Sequence, residues 1–161
     1  MQITEPVTML TDYAMGAASL LFGLMIWKHI SSNNRTTIRL WTMCFIAVCI
    51  AALVGGTYHG FASYFSDSSL RGLWNVTMYS SGFAGGSMVS AAIASDVGGN
   101  KLGRKWLAAG VLITLGGIAV QQTGFRHGRD INHNDIYHLI QIAGLYYFFR
   151  CACVVGDRRA S

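Results

Sequence analysis

The 161 residues are 52% hydrophobic and only 12% charged, with a formal net charge of +5 and a mean hydropathy of +0.39. A soluble domain carries about 25% charged residues, so this composition excludes both an ordinary water-soluble enzyme and a disordered chain, and it points to a bilayer. The basic excess gives no support to nucleic-acid binding, because it falls mostly where a membrane protein keeps lysine and arginine, on its inner face.

Crossing the hydrocarbon takes roughly 20 mostly apolar residues per helix, and five segments qualify. The first is about Tyr13–Trp27, bracketed by Asp12 and Lys28, with Thr11 and Asp12 read as its N-terminal cap. It is expected to be retained, because Glu5 and Asp12 precede any positive residue and a cleavable signal peptide starts with cations. The second is about Leu40–Tyr58 and contains Cys44 and Cys49.

The third segment, about Leu73–Ser95, is dominated by small side chains. Gly82, Gly86 and Ser90 stand at the small-xxx-small spacing that predicts close helix packing within the bundle or a homo-oligomer face. The fourth, about Trp106–Gln121, adds Gly110, Gly116 and Gly117. The fifth is about Ile136–Val155, with Cys151 and Cys153 towards its end. No cysteine pair has C-x-x-C spacing, so all four read as small buried apolar residues. The connections are too short for a soluble domain. The expectation is an all-α integral membrane bundle of five transmembrane helices, with residues 1–161 as a single domain.

Orientation follows from lysine and arginine. Lys28, Arg35 and Arg39 lie between helices one and two, Lys101, Arg104 and Lys105 between three and four, and Arg150, Arg158 and Arg159 at the end of the chain. The other side holds Arg71, Arg126 and Arg129. This predicts an N-terminus outside and a C-terminus inside the cell membrane. Trp27, Trp41, Trp74 and Trp106 all fall at predicted helix ends, as interfacial tryptophans do.

Polar and ionisable residues then converge on the outer end. His59 closes helix two, Asp67 follows in the serine-rich connection, His127 and His133 precede helix five, and that helix opens Asn134-Asp135-Ile136-Tyr137-His138. Asp135 and His138 are three apart and share a helix face, the spacing of the carboxylate-x-x-histidine pair in metal-binding bundles. His59 would add a ligand from a second element and His133 a third imidazole, and a zinc site that takes three protein ligands from these leaves a fourth position for water, whose pKa the metal lowers to about 7. The structural alternative is that Asn134 caps helix five and Asp135 is a favourable anion in its first turn. His127, beside Arg126 and Arg129, reads as a solvated residue.

Tyr58-His59, then Asp67 and Leu73-Trp74, and a last helix opening Asn134-Asp135-Ile136-Tyr137-His138, together resemble the superfamily that contains the alkaline ceramidases and the adiponectin and progestin receptors. The chain looks like small bacterial membrane proteins of that kind. The resemblance implies a zinc held by three histidines and, in members of known activity, hydrolysis of a lipid amide. His59 would match the first zinc histidine, His138 the last, and Asp67 the polar partner of the metal-bound water. Three departures stand out: Asn134 replaces the first histidine of the terminal pair, Gly55 replaces a serine four residues before His59, and five helices replace seven.

The expectation drawn from these residues is a zinc-dependent hydrolase acting on an amide or ester bond of a membrane lipid, with its site on the non-cytoplasmic side. His59, His133, His138 and Asp135 would hold the metal and Asp67 would be the catalytic proton acceptor, with Asn134, Tyr58 and Asp12 around them. Two alternatives are a non-catalytic binding or assembly subunit and an electron-transfer protein with His59 and His138 as axial haem ligands. A homo-oligomer through helix three is compatible with each.

Overall fold

Each long apolar run continues as helix until a polar side chain or a turn takes over its end groups, so the helices outrun the hydrophobic segments that announce them. The computed structural model describes residues 3–30, 33–95, 97–124, 126–127 and 131–157. Its helices are α1, Pro6–Trp27; α2, Arg35–Phe61; α3, Asp67–Ala94; α4, Lys101–Gln122; and α5, His133–Asp157. Single 3-10 turns, Ala62–Tyr64 and Val97–Gly99, follow α2 and α3, and a two-stranded antiparallel ribbon, β1 (Arg126–His127) with β2 (Ile131–Asn132), precedes α5. Arg129, Arg158 and Arg159, which enter the charge asymmetry, lie outside the described residues.

The starts of these helices explain their lengths. Proline fits the first turn of a helix, where its missing N–H is not needed, and α1 begins there, at Pro6. Asp12 and Thr11 therefore lie inside α1 and do not cap it. At α3 the Ser69 N–H donates to the Ser66 hydroxyl, and Asp67 follows in the first turn. At α4 the N–H groups of Leu102 and Gly103 donate to the Asn100 side chain, at 3.1 and 2.9 Å. At α5 the cap is Asn132, not Asn134. Its side-chain oxygen accepts the Asn134 N–H at 2.8 Å, while its own N–H donates to Asp135 at 2.7 Å, the reciprocal exchange of a capping box.

The helices pack in the spatial order α3, α2, α1, α5, α4. Although α3 and α4 are consecutive in the chain, they make no extended contact. The main core lies towards the end where α1, α3 and α5 finish and α2 and α4 begin, around Ile26, Trp41, Phe45, Phe148 and Cys151. Trp41 is fully buried there and its indole N–H donates to the Ser95 hydroxyl at 3.1 Å, so it is a core residue and not an interfacial one. Trp27 is exposed at a helix end as expected, whereas Trp74, also exposed, lies two turns inside α3, which starts earlier than its apolar run. Cys44, Cys49 and Cys151 are buried, and Cys153 is half-buried.

Glycines set the close contacts of two helix pairs. A Cβ on Gly56 would stand 2.7 Å from the Tyr13 ring, and one on Gly110 would stand 2.6 Å from the Phe148 ring, so α1 against α2 and α4 against α5 need those positions bare. Helix α3 differs. It buries Ala84, Ser87 and Ala91 against its neighbours, whereas Gly82, Gly85 and Gly86 have nothing within 4 Å of a Cβ. The Gly82, Gly86 and Ser90 face is thus left bare, and the small residues that pack within the chain are Ala84, Ser87 and Ala91.

Helices α1, α2, α4 and α5 are each long and apolar enough to cross a membrane. Helix α3, at 28 residues, is long enough as well, but Asp67, Arg71, Asn75 and several serines make it more polar.

Candidate functional site

Thr8, Thr11 and Asp12 stand at i, i+3 and i+4 on α1, and Asp135 and His138 at i and i+3 on α5, so each set forms one stripe. The two stripes meet. Thr8 donates its hydroxyl to Asp135 at 2.7 Å, and the Asn132 amide reaches Thr8 at 3.1 Å. His138 stands between neighbouring residues of α1, with Nε2 3.2 Å from the Asp12 carboxylate and Nδ1 3.1 Å from the Thr11 hydroxyl. Asp12, Asp135 and His138 are all buried.

The cluster accommodates either protonation state of the imidazole. With Nε2 alone protonated, Nδ1 accepts the Thr11 hydroxyl. With both nitrogens protonated, Nδ1 donates to Thr11, whose hydroxyl then turns to the Thr8 carbonyl 3.0 Å away.

The cluster also lies against a third helix, α2. A Cβ on Gly55 would sit 3.5 Å from the second Asp12 oxygen, and the neighbouring Tyr13 hydroxyl bonds Thr57 at 3.1 Å. At the end of α2, His59 Nδ1 pairs with Glu5 at 2.9 Å, and the Thr4 N–H donates to the Gly60 carbonyl at 3.0 Å. The start of the chain is thereby tied to the end of α2.

The residues expected to hold zinc are divided among these contacts. His59 is turned to Glu5, His138 to Thr11 and Asp12, and Asp135 to Thr8 and Asn132, while His133 Nδ1 is buried without a hydrogen-bond partner. Among the described residues no three His, Cys, Asp or Glu side chains are grouped to hold a metal ion. The donor set as expected therefore does not fit a zinc ion. For axial haem ligation His138 would likewise have to give up its bond to Asp12. Asn134 accepts a hydrogen bond from Gln121 at 3.3 Å, linking α5 to α4. The side chain of His127 lies outside the described residues.

Asp67 sits apart from this cluster. It is exposed in the first turn of α3 and lines a pocket of about 570 Å³ with Tyr58, Leu70, Arg71, Trp74 and Asn75. The Tyr58 and Trp74 rings pack against each other in its lining, tilted by 47° with centroids 5.6 Å apart. The participants that the sequence reading missed are Glu5, Thr8, Thr11 and Asn132. Their signal was the polar stripe Thr8, Thr11, Asp12 in an otherwise apolar segment, which becomes visible once Pro6 is taken as the helix start.

Two segments of the chain, residues 7–107 and 99–153, match the model of DUF6962, a family of unknown function, and the chain belongs to that family. No curated protein and no solved structure matches it.

Proposed function

We propose that this DUF6962 chain is a multi-pass membrane protein of the binding and assembly class, with α3 as its fifth span, which associates with a second copy of itself through the bare face of α3. The observation that carries this reading is that a Cβ on Gly82, Gly85 or Gly86 would meet nothing within 4 Å from another helix among the described residues, while Ala84, Ser87 and Ala91 of the same helix are buried. In a bilayer, faces of small residues are where helix backbones approach one another. The α1–α5 cluster then acts as a lock that fixes helix order, since buried polar groups in a membrane need internal partners.

The test is the mass of the purified protein in a mild detergent by light scattering. Wild type should run at twice 17.5 kDa, and Gly86→Ile should run as a monomer. A monomeric wild type, both in detergent and when cross-linked in its own membrane, would sink the reading.

One observation favours a second reading, a hydrolase acting on an amide or ester bond of a membrane lipid. The His138 imidazole stands between a hydroxyl and a carboxylate, the arrangement in which a histidine takes a proton from an attacking hydroxyl while the carboxylate holds the ring. Here Thr11 would be the nucleophile and Asp12 the residue that orients His138. Release of fatty acid from N-acyl and O-acyl lipids, abolished by Thr11→Val and by His138→Gln, would support it. Elemental analysis of the same preparation reads the zinc expectation directly. One equivalent of zinc, lost in both His59→Ala and His138→Ala, would restore the metal-centred form.

A further inference from the structure

The pocket at the junction of α2 and α3 has its own chemistry. Asp67, Leu70, Arg71, Trp74 and Asn75 fall at i, i+3, i+4, i+7 and i+8 of α3 and make one stripe, and Tyr58 from α2, packed on Trp74, completes the lining. Its volume of about 570 Å³ lies within the roughly 300–1,000 Å³ range of small-molecule sites.

Asp67 and Arg71 stand at the spacing that normally makes an ion pair on a helix. Here, among the described residues, neither is paired with the other or with any other side chain. A negative and a positive group, about 6 Å apart along the axis at 1.5 Å per residue, are therefore both open to the same pocket. Beside them Tyr58 and Trp74 present aromatic surface of the kind that sits at the level of lipid headgroups.

We infer that this pocket binds a zwitterion carrying an ammonium and a phosphate, the chemistry of an aminophospholipid headgroup, with Asp67 taking the ammonium and Arg71 and Asn75 the phosphate. Tyr58 and Trp74 cover the apolar part of the ligand that joins the two charges. The arrangement disfavours a purely anionic headgroup, which offers the Asp67 carboxylate only a neutral hydroxyl, or a second negative charge, in place of an ammonium. The inference stands on the pocket alone and holds whether the α1–α5 cluster locks helices or reacts.

Calorimetry on the protein in phosphatidylglycerol nanodiscs tests it, with two probes run in parallel, glycerophosphoethanolamine and dihexanoyl phosphatidylethanolamine. Saturable binding of both makes the soluble zwitterion sufficient, and binding of the lipid probe alone assigns the pocket to a membrane headgroup. Either result supports the inference provided that Asp67→Asn and Arg71→Gln each weaken binding by about tenfold or more, as loss of a charge-assisted hydrogen bond does. Arg71→Lys, which keeps the charge, should retain most of the affinity. Absence of saturable binding by both probes, equal affinity for glycerophosphoglycerol run as the anionic control, or affinity left unchanged by one or both of the charge-removing substitutions overturns it.

Discussion

The Nε2 of His138 lies 3.2 Å from the Asp12 carboxylate, and the two side chains, 6% and 4% exposed as residues, bind the last helix to the first. Removing one partner leaves the other buried and unpaired, which costs about 3 kcal/mol or more when a buried pair is broken from one side. His138→Ala and Asp12→Ala should each lower the stability of the protein in mixed detergent micelles by that order. The double variant should cost clearly less than the sum, because each single change already forfeits the shared interaction. Additive losses in equilibrium unfolding would mean that the two residues are not coupled.

Gly55 and Gly56 are adjacent on α2 but meet different surroundings. A methyl group on Gly55 would find Asp12 Oδ2 at 3.5 Å and Thr77 Cγ2 at 3.6 Å, which is ordinary contact, whereas one on Gly56 would stand 2.7 Å from Tyr13. Gly55→Ala should be neutral or stabilising by up to about 1 kcal/mol, the helix-propensity gain. Gly56→Ala should destabilise by about 1–3 kcal/mol, the usual cost of overpacking. Thermal unfolding of the two variants side by side checks the contrast. Gly55→Ser, which restores the serine of the ceramidase-like pattern, should also be tolerated, with its hydroxyl beside Asp12.

The same logic separates α3 from α4. Gly110 packs against Phe148, whereas a Cβ on Gly86 would meet nothing within 4 Å among the described residues, so Gly110→Ala should lower the unfolding temperature in a dissociating detergent and Gly86→Ala should not. A loss for Gly86→Ala under those conditions would place an intrachain neighbour on the face that the proposed dimer needs.

The fold was largely legible in the sequence, because long apolar runs between polar breaks leave few alternatives to helices. The helix starts were less legible, since they rest on single caps. Pro6 and Asn132 move the starts of α1 and α5 outward, and those two shifts decide the site. With α1 beginning at Pro6, Thr8, Thr11 and Asp12 become one stripe. With Asn132 as the cap of α5, Asp135 is committed to a capping bond and to Thr8. The pairing of His138 with Thr11 and Asp12, and of His59 with Glu5, is a long-range packing outcome that no local spacing encodes. Trp41 was misread for a related reason, because a tryptophan near a helix start looks interfacial until its neighbours enclose it.

The remaining prediction concerns orientation, which rests on the asymmetry of lysine and arginine. The chain start, the end of α2, the start of α3 and the start of α5 share one end of the protein, through the contacts of Thr4 with Gly60 and Thr8 with Asp135. The asymmetry predicts that this end lies outside. Asn100 and Asn132, the obvious loop positions for a reporter cysteine, are both helix caps. The exposed residues Ser68 and Lys101 avoid that cost. In a chain with the half-buried Cys153 replaced by alanine, a membrane-impermeant maleimide applied to intact cells should label Ser68→Cys and leave Lys101→Cys unlabelled until the membrane is permeabilised. The reverse pattern would invert the topology and put the α1–α5 cluster at the inner face. Labelling at both positions would remove α3 as a span, because the two reporters flank that helix and one crossing must separate them.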